Sequence, residues 1–217
     1  MLTESGEVQR RPSRRAGQSR PDILAAASDV IGERGYASTR FSDIAARAGT
    51  SVSTLQYLFG NREDLMGQAV EWRAEKYLAD ARTRCEAIAD PVDRLRWLTN
   101  HLAAADEPDD EAARRNWLVW LEFSYTALRD NHLHESAVGV YQGWAQLYRD
   151  ALEYAVAQGA IAEPDDVEAI SQGACALADG FGIQIAIGHP QVSWQYAGGV
   201  VRLWLASVLS LPALAAE

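Results

Sequence analysis

Cysteine is nearly missing. The 217-residue chain holds two, Cys85 and Cys175, far apart and with no ligand spacing around either. That excludes a disulfide framework or a cysteine-built metal site. It fits two small buried side chains in a reducing compartment, so a cytoplasmic protein is expected. Long apolar runs are missing as well: none approaches the ~18 residues that span a bilayer, and no membrane partner is expected. The basic N-terminal stretch has no apolar segment behind it, so no secretory leader is expected. Strand-like alternation persists nowhere and no internal repeat is visible, which leaves an all-α fold. A phosphate-binding glycine motif and a nucleophile elbow are also lacking. His132 and His134 could ligate a metal only with partners that the sequence does not identify, and exposed loop histidines are the plainer reading. No enzyme, cofactor or metal site is expected.

What is present is ordinary in amount and uneven in distribution. The chain is 48% hydrophobic and 23% charged, enough for one large or two small domains with a sizeable core. Its formal net charge is −10. Residues 1–62 nevertheless carry nine Arg against six acids, a net of +3, and the remaining 155 residues carry −13. Such asymmetry points to separate tasks, one of them with a polyanion.

Residues 1–18 are polar and aperiodic, and a disordered basic arm is expected there. Five Arg and no acid lie between residues 9 and 21. They read either as a solubilising tail or as an arm tracking phosphates or the minor groove. Order begins at "SRPDILAAASDVIGERG". Ser19 caps with Asp22, Pro21 suits a first turn, and Gly35 closes the helix. Ile23, Ala27, Val30 and Ile31 form its buried stripe. "STRFSDIAARAG" predicts a short helix over Thr39–Ala48 that buries Phe41, Ile44, Ala45 and Ala48, and Gly49 makes a sharp turn. Ser51 then caps a helix over Val52–Leu58 whose Leu55 and Phe59 point inward. Asn61 and Asp64 open a helix running to about Ile88. Asp90-Pro91 starts the next, ending near Ala105, and further helices are predicted over 111–129, 132–158, 164–188 and 193–210.

Two short helices joined by a tight glycine turn form a helix-turn-helix, in which the second braces the third and the third enters a major groove ~12 Å wide. The outer side of the third helix is small and polar: Ser51, Ser53, Thr54, Gln56 and Tyr57. Short hydroxyls let the backbone approach closely, and Gln56 can bond a phosphate or an adenine edge. Ser51 has two open readings, capping alone or capping with a DNA contact.

The stretch "ILAAASDVIGERGYASTRFSDIAARAGTSVSTLQYLFGNREDL", residues 23–65, resembles the DNA-binding module of the TetR family of transcriptional regulators. The likeness includes the Gly-Tyr after the first helix and the Phe before a capped fourth helix. Downstream, the chain more weakly resembles the ligand-binding domain of the choline-sensing repressor type. The resemblance implies a homodimer that binds double-stranded palindromic operator DNA on the nucleoid, usually as a repressor, and is released by a small-molecule effector. It divides the chain into the arm at 1–18, a DNA-binding domain at 19–65 and an effector-binding and dimerisation domain at 66–217. It also implies that Arg62, where the family usually has Lys, contacts phosphate, and that Thr39 caps the second helix and touches the DNA backbone. Gln56 stands where the family commonly has a phosphate-contacting Tyr, and Leu58 where it often has His. Tyr57 matches the motif's second aromatic and is partly structural. The DNA-facing set is then Thr39, Arg40, Ser51, Ser53, Thr54, Gln56, Tyr57 and Arg62.

The chain holds seven Trp and eight Tyr, many of them clustered in its middle. Trp117, Trp120 and Ser124 recur at helical spacing, and Tyr141, Trp144 and Tyr148 form a second stripe. Such stripes are core or pocket wall. The family's pocket lies between these helices, so the expected effector site comprises Trp117, Trp120, Tyr141, Trp144 and Tyr148, with Asn116, Glu122, Ser124, Gln142 and Gln184 as polar groups. It would take a cation or a flat apolar compound. The last two helices are apolar on more than one side. Gly173, Ala174 and Ala178 are small enough for a close helix approach, and Phe181, Val200, Trp204, Val208 and Leu211 add bulk. They predict a four-helix dimer interface, with an internal core as the alternative. Two rival functions remain: a helix-turn-helix fold acting through protein partners, and a small helical enzyme using the aromatic cavity.

Overall fold

In the computed structural model, residues 19–107 and 109–215 are described, and they contain helices and turns without strands. The arm expected at 1–18 lies outside the described residues. Nine α-helices follow in order: α1 Arg20–Arg34, α2 Phe41–Ala48, α3 Val52–Phe59, α4 Arg62–Ala87, α5 Pro91–Leu102, α6 Asp110–Ala127, α7 Asn131–Ala157, α8 Val167–Ala186 and α9 Trp194–Val208. A 3₁₀ turn at Pro212–Leu214 closes the described chain.

Local chemistry sets the boundaries. Ser19 and Asp22 form a reciprocal capping box, with the Ser19 amide donating to Asp22 Oδ2 at 3.0 Å. Ser51 Oγ accepts from the Thr54 amide at 3.0 Å, and Asn61 Oδ1 from the Asp64 amide at 2.9 Å. Gly49 ends α2 in the left-handed region, with φ 64°, which is open to glycine without steric cost. The second helix starts two residues later than expected. Its N-cap is Arg40, because the Thr39 hydroxyl turns back to the Gly35 carbonyl at 2.9 Å and is only 1% exposed.

The first three helices fold over Ile23, Ala27, Val30, Ile31, Ile44, Leu55 and Phe59, all buried. The 26-residue α4 ties this unit to the rest: it packs on α1 and α3, and also on α5, α6 and α7. A helix α4 shared by both cores makes any tilt of it visible at both ends of the molecule. No helix among the described residues is long and apolar enough to cross a membrane.

Candidate DNA interface and effector cavity

The α2–α3 turn presents α3 with Leu55 and Phe59 inward and Ser53, Thr54, Gln56 and Tyr57 outward. Ser51 Oγ is fully committed: besides capping, it lies 2.8 Å from both the Ser53 and Thr54 hydroxyls. Tyr57 is 88% exposed and contributes nothing to packing, which corrects its expected partly structural role. Its ring is instead the largest exposed side chain of the α3 face.

Arg62 departs further from expectation. Its Nε donates to Thr39 O at 2.7 Å, and Nη2 donates to Tyr36 O and, at 3.4 Å, to Ala37 O. The guanidinium also lies 5.6 Å from the Tyr36 ring centroid. The planar fork therefore ties down the α1–α2 loop, whose carbonyls have no helical partners, instead of standing free for a phosphate. The Thr39 hydroxyl, buried and bonded, is likewise unavailable.

The charges of the folded unit are also differently placed. Residues 19–65 contain five Arg and six acids, a net of −1, so the folded unit carries no positive excess of its own. Arg34 pairs with Asp43 at 2.9 Å, Arg47 with Glu33 at 2.6 Å, and Arg20 donates to Leu58 O at 3.2 Å over the Phe59 ring. Among the described residues of this unit, Arg40 is the one arginine whose side chain makes no hydrogen bond or ion pair; it is exposed.

Between α4, α6, α7 and α8 lies a cavity of about 70 Å³, room for several water molecules. Trp117, Trp120, Tyr141 and Trp144 line it, joined by Val70, Arg73, Ala74, Tyr77, Leu102, Ala104, Asn116, Val119, Cys175 and Asp179. Trp120 and Tyr141 meet edge to face at 5.1 Å, and Tyr77 and Trp144 approach at 5.9 Å. Asp179 Oδ1 accepts from Trp120 Nε1 at 3.3 Å, and the Tyr141 hydroxyl lies beside the same carboxylate. Burial pushes the Asp179 carboxyl above its ordinary range, partly offset by Tyr141 and Trp120. Burial also raises the Cys175 thiol to about 12 and the Cys85 thiol to about 11, so both stay protonated and unreactive.

Five expected pocket residues lie outside the lining, among them Gln142, which is exposed on α7. Tyr148 is wholly buried core, its hydroxyl 3.3 Å from Thr99 Oγ1. Glu122 faces the α1–α2 loop and accepts from the Tyr36 amide at 3.4 Å. Gln184 donates to its own helix at Gly180 O, and Ser124 is not in the lining, its buried hydroxyl lying behind the cavity wall beside that of Tyr141. The residues that were missed are Asp179 and Arg73. Asp179 was signalled by a single acid set among small and apolar neighbours in "GACALADGFG"; Arg73 carried no such signal.

Gly182 carries the Trp117 ring directly: a Cβ there would collide with it. Gly182→Ala must drive that indole toward the cavity, and a loss of about 1–3 kcal/mol is expected in denaturant unfolding. An unchanged midpoint would mean that the ring relaxes freely.

On α8 and α9 the outward face is rotated from the expected one. Ala174 and Ala178 are buried within the subunit, and a Cβ on Gly173 would meet Trp204 at 2.7 Å, so Gly173 is where Trp204 of α9 packs on α8. Leu211 packs against the core as well. The exposed apolar surface runs through Ala176, Gly180 and Ile183 on α8 and Ile187 at its C-cap, and Tyr196, Leu203 and Val208 on α9, with half-buried Phe181 and Val200 beside it.

A helix-turn-helix joined by one long helix to a cavity-bearing helical bundle is the form of a one-component transcriptional regulator. Residues 23–69 match the family model described as bacterial regulatory proteins of the TetR family, and residues 94–210 match that of the BetI-type transcriptional repressor C-terminal domain. The chain is 30% identical to the HTH-type transcriptional regulator BetI of Rhizobium meliloti over 176 residues, covering 80% of this chain and 81% of that one. It is 28% identical to the regulator LmrA of Bacillus subtilis over 138 residues, 63% of this chain and 72% of that one. A transcriptional regulator from Saccharomonospora viridis, solved in complex with choline, superimposes with a TM-score of 0.74 at 25% identity, covering 86% of this chain and 94% of that one. The chain belongs to the TetR family of transcriptional regulators, with a C-terminal domain of the BetI type.

Proposed function

We propose that the chain is a homodimeric repressor that holds a palindromic operator and lets go when a small organic cation enters the aromatic cavity. The observation that carries the choice of ligand is Asp179. A carboxylate in a mainly aromatic and aliphatic cavity, with no ion pair to it among the described residues, costs free energy unless a positive charge joins it. Aromatic faces around a desolvated cation add about 2 kcal/mol or more. A flat apolar compound would leave Asp179 uncompensated. The choline held by the Saccharomonospora viridis regulator is a cation of the class that this cavity suits.

The division into a DNA-binding unit at 19–65 and an effector and dimerisation unit at 66–217 belongs to this reading. The exposed apolar surface of α8 and α9 supports a second copy as partner, because apolar patches of this kind mark interaction sites. Ser53, Thr54, Gln56 and Tyr57 would face the groove, while Arg40 and the arginines of residues 1–18 would meet phosphates. The last of these lie outside the described residues. The effector acts by binding one spacing of the two recognition helices better than the other. The route to the DNA is short: Arg73 and Asn116 line both the cavity and a polar cleft formed with Ser28, Asp29 and Glu33 of α1.

The test uses footprinting on the DNA flanking the chain's own gene, with choline as the added cation. Protection that weakens with salt and is lifted by choline is expected. Absence of protection on any promoter fragment would sink the regulator reading. Protection that choline and other small quaternary amines leave untouched would sink the ligand class alone.

A further inference from the structure

Among its fourteen lining residues the cavity has one acid, Asp179 on α8, and one base, Arg73 on α4. They do not neutralise each other. Asp179 is bonded to Trp120 and flanked by Tyr141. The Arg73 side chain makes one hydrogen bond among the described residues, from Nη2 to Asn116 Oδ1 at 2.6 Å, and no carboxylate comes within ion-pair distance of it. The acids nearest its other side are engaged elsewhere or stand off. Glu107 accepts from Asn116 Nδ2 at 2.8 Å and lies outside the lining. Glu33 is paired with Arg47 at 2.6 Å, and Asp29 faces the adjoining polar cleft. The Arg73 guanidinium thus keeps donors that no described residue matches.

A bare cation would compensate Asp179 and leave Arg73 as it is; indeed a second positive charge would enter a cavity that already holds one. A ligand carrying both signs would satisfy both groups. We propose that the effector is zwitterionic, a compact quaternary ammonium bearing a carboxylate, with its ammonium against Asp179, Trp120 and Tyr141 and its carboxylate on Arg73. This rests on the cation-binding reading of the same cavity and narrows it. Guanidinium is the natural receptor for a carboxylate, because two parallel N–H donors match its two oxygens.

Quenching of tryptophan fluorescence reads occupancy, since Trp117, Trp120 and Trp144 line the cavity. The probes are choline, acetate, and trimethylammonium carboxylates with one, two and three methylenes between nitrogen and carboxylate. At least one of the zwitterions should bind about tenfold or more tightly than choline, the worth of one charge-assisted pair of hydrogen bonds. Acetate should not compete. In Arg73→Met that zwitterion should fall to the affinity of choline or below it, while choline binds as before or better. Choline binding as well as every zwitterion in the unaltered chain would overturn the proposal and leave the cation reading standing. A preference that survives in Arg73→Met would overturn it too. Failure of all cations would remove both readings together. Should Arg73→Met lose choline as well, Arg73→Lys decides: it must keep a reduced preference for the zwitterion, and equal affinities would count against the assignment.

Discussion

Asp179→Asn is expected to lower choline affinity by two to three orders of magnitude while leaving operator binding unchanged. Asparagine keeps the size of the side chain and an oxygen for Trp120 Nε1, which the carboxylate now accepts at 3.3 Å. What disappears is the negative charge, and truncating one partner of a desolvated charge pair costs about 2–5 kcal/mol. The free protein should be at least as stable as before, because an uncompensated buried carboxylate is a cost that the amide avoids. Titration calorimetry beside thermal unfolding separates the two effects. Equal choline affinity in the variant would place the cation elsewhere.

The same group gives a pH dependence with a definite sign. The folded-state pKa of Asp179 is raised above its ordinary value of 3.8 by burial. Its contribution to stability is therefore favourable below that value and is lost as pH rises through the folded pKa. Cation binding runs the other way. It needs the ionised carboxylate and should weaken as pH falls into the raised range, with proton release on binding there.

Arg62→Ala is expected to unfold the α1–α2 loop locally and to lower stability by about 2 kcal/mol, with loss of operator binding as a consequence. The three carbonyls of Tyr36, Ala37 and Thr39 lose their donor, and each unmatched buried acceptor costs about 1–3 kcal/mol, less here because water reaches part of the site. Arg62→Lys distinguishes this role from a phosphate contact. Lysine keeps the charge but not the planar fork, so stability should drop in both variants. Arg40→Ala supplies the contrast: DNA binding should weaken alike for cognate and random sequences, with unfolding unaltered. A fully stable Arg62→Lys protein would restore the phosphate reading.

The helix boundaries were legible because their causes are local. Ser19 with Asp22, Gly49, Ser51, Asn61 with Asp64, and Asp90 before Pro91 act within one turn of where they sit. The family motif added the order of the DNA-binding unit. What depended on how helices cross was not legible. On α8, apolar or small residues surround nearly the whole circumference, and neighbouring positions differ by about 100°. Ala174 and Ala176 look alike in sequence, yet one is core and the other surface. Tyr148 shares its stripe with Tyr141 and Trp144, but α5 covers it and Thr99 takes its hydroxyl. Arg62 misled for a related reason: its charge matched the motif, while the carbonyls that hold it belong to a loop more than twenty residues away.

The Arg73–Asn116 bond forms a wall common to the cavity and to the cleft beside α1. On the proposed repressor reading this wall couples effector to operator, and linkage makes any such coupling reciprocal. Whatever factor an effector takes from operator affinity, the operator must take from effector affinity. A dissociation constant measured on the free protein will therefore read tighter than the one that governs the protein seated on its operator. The concentration of ligand needed to clear a promoter will rise with the number of operator copies present.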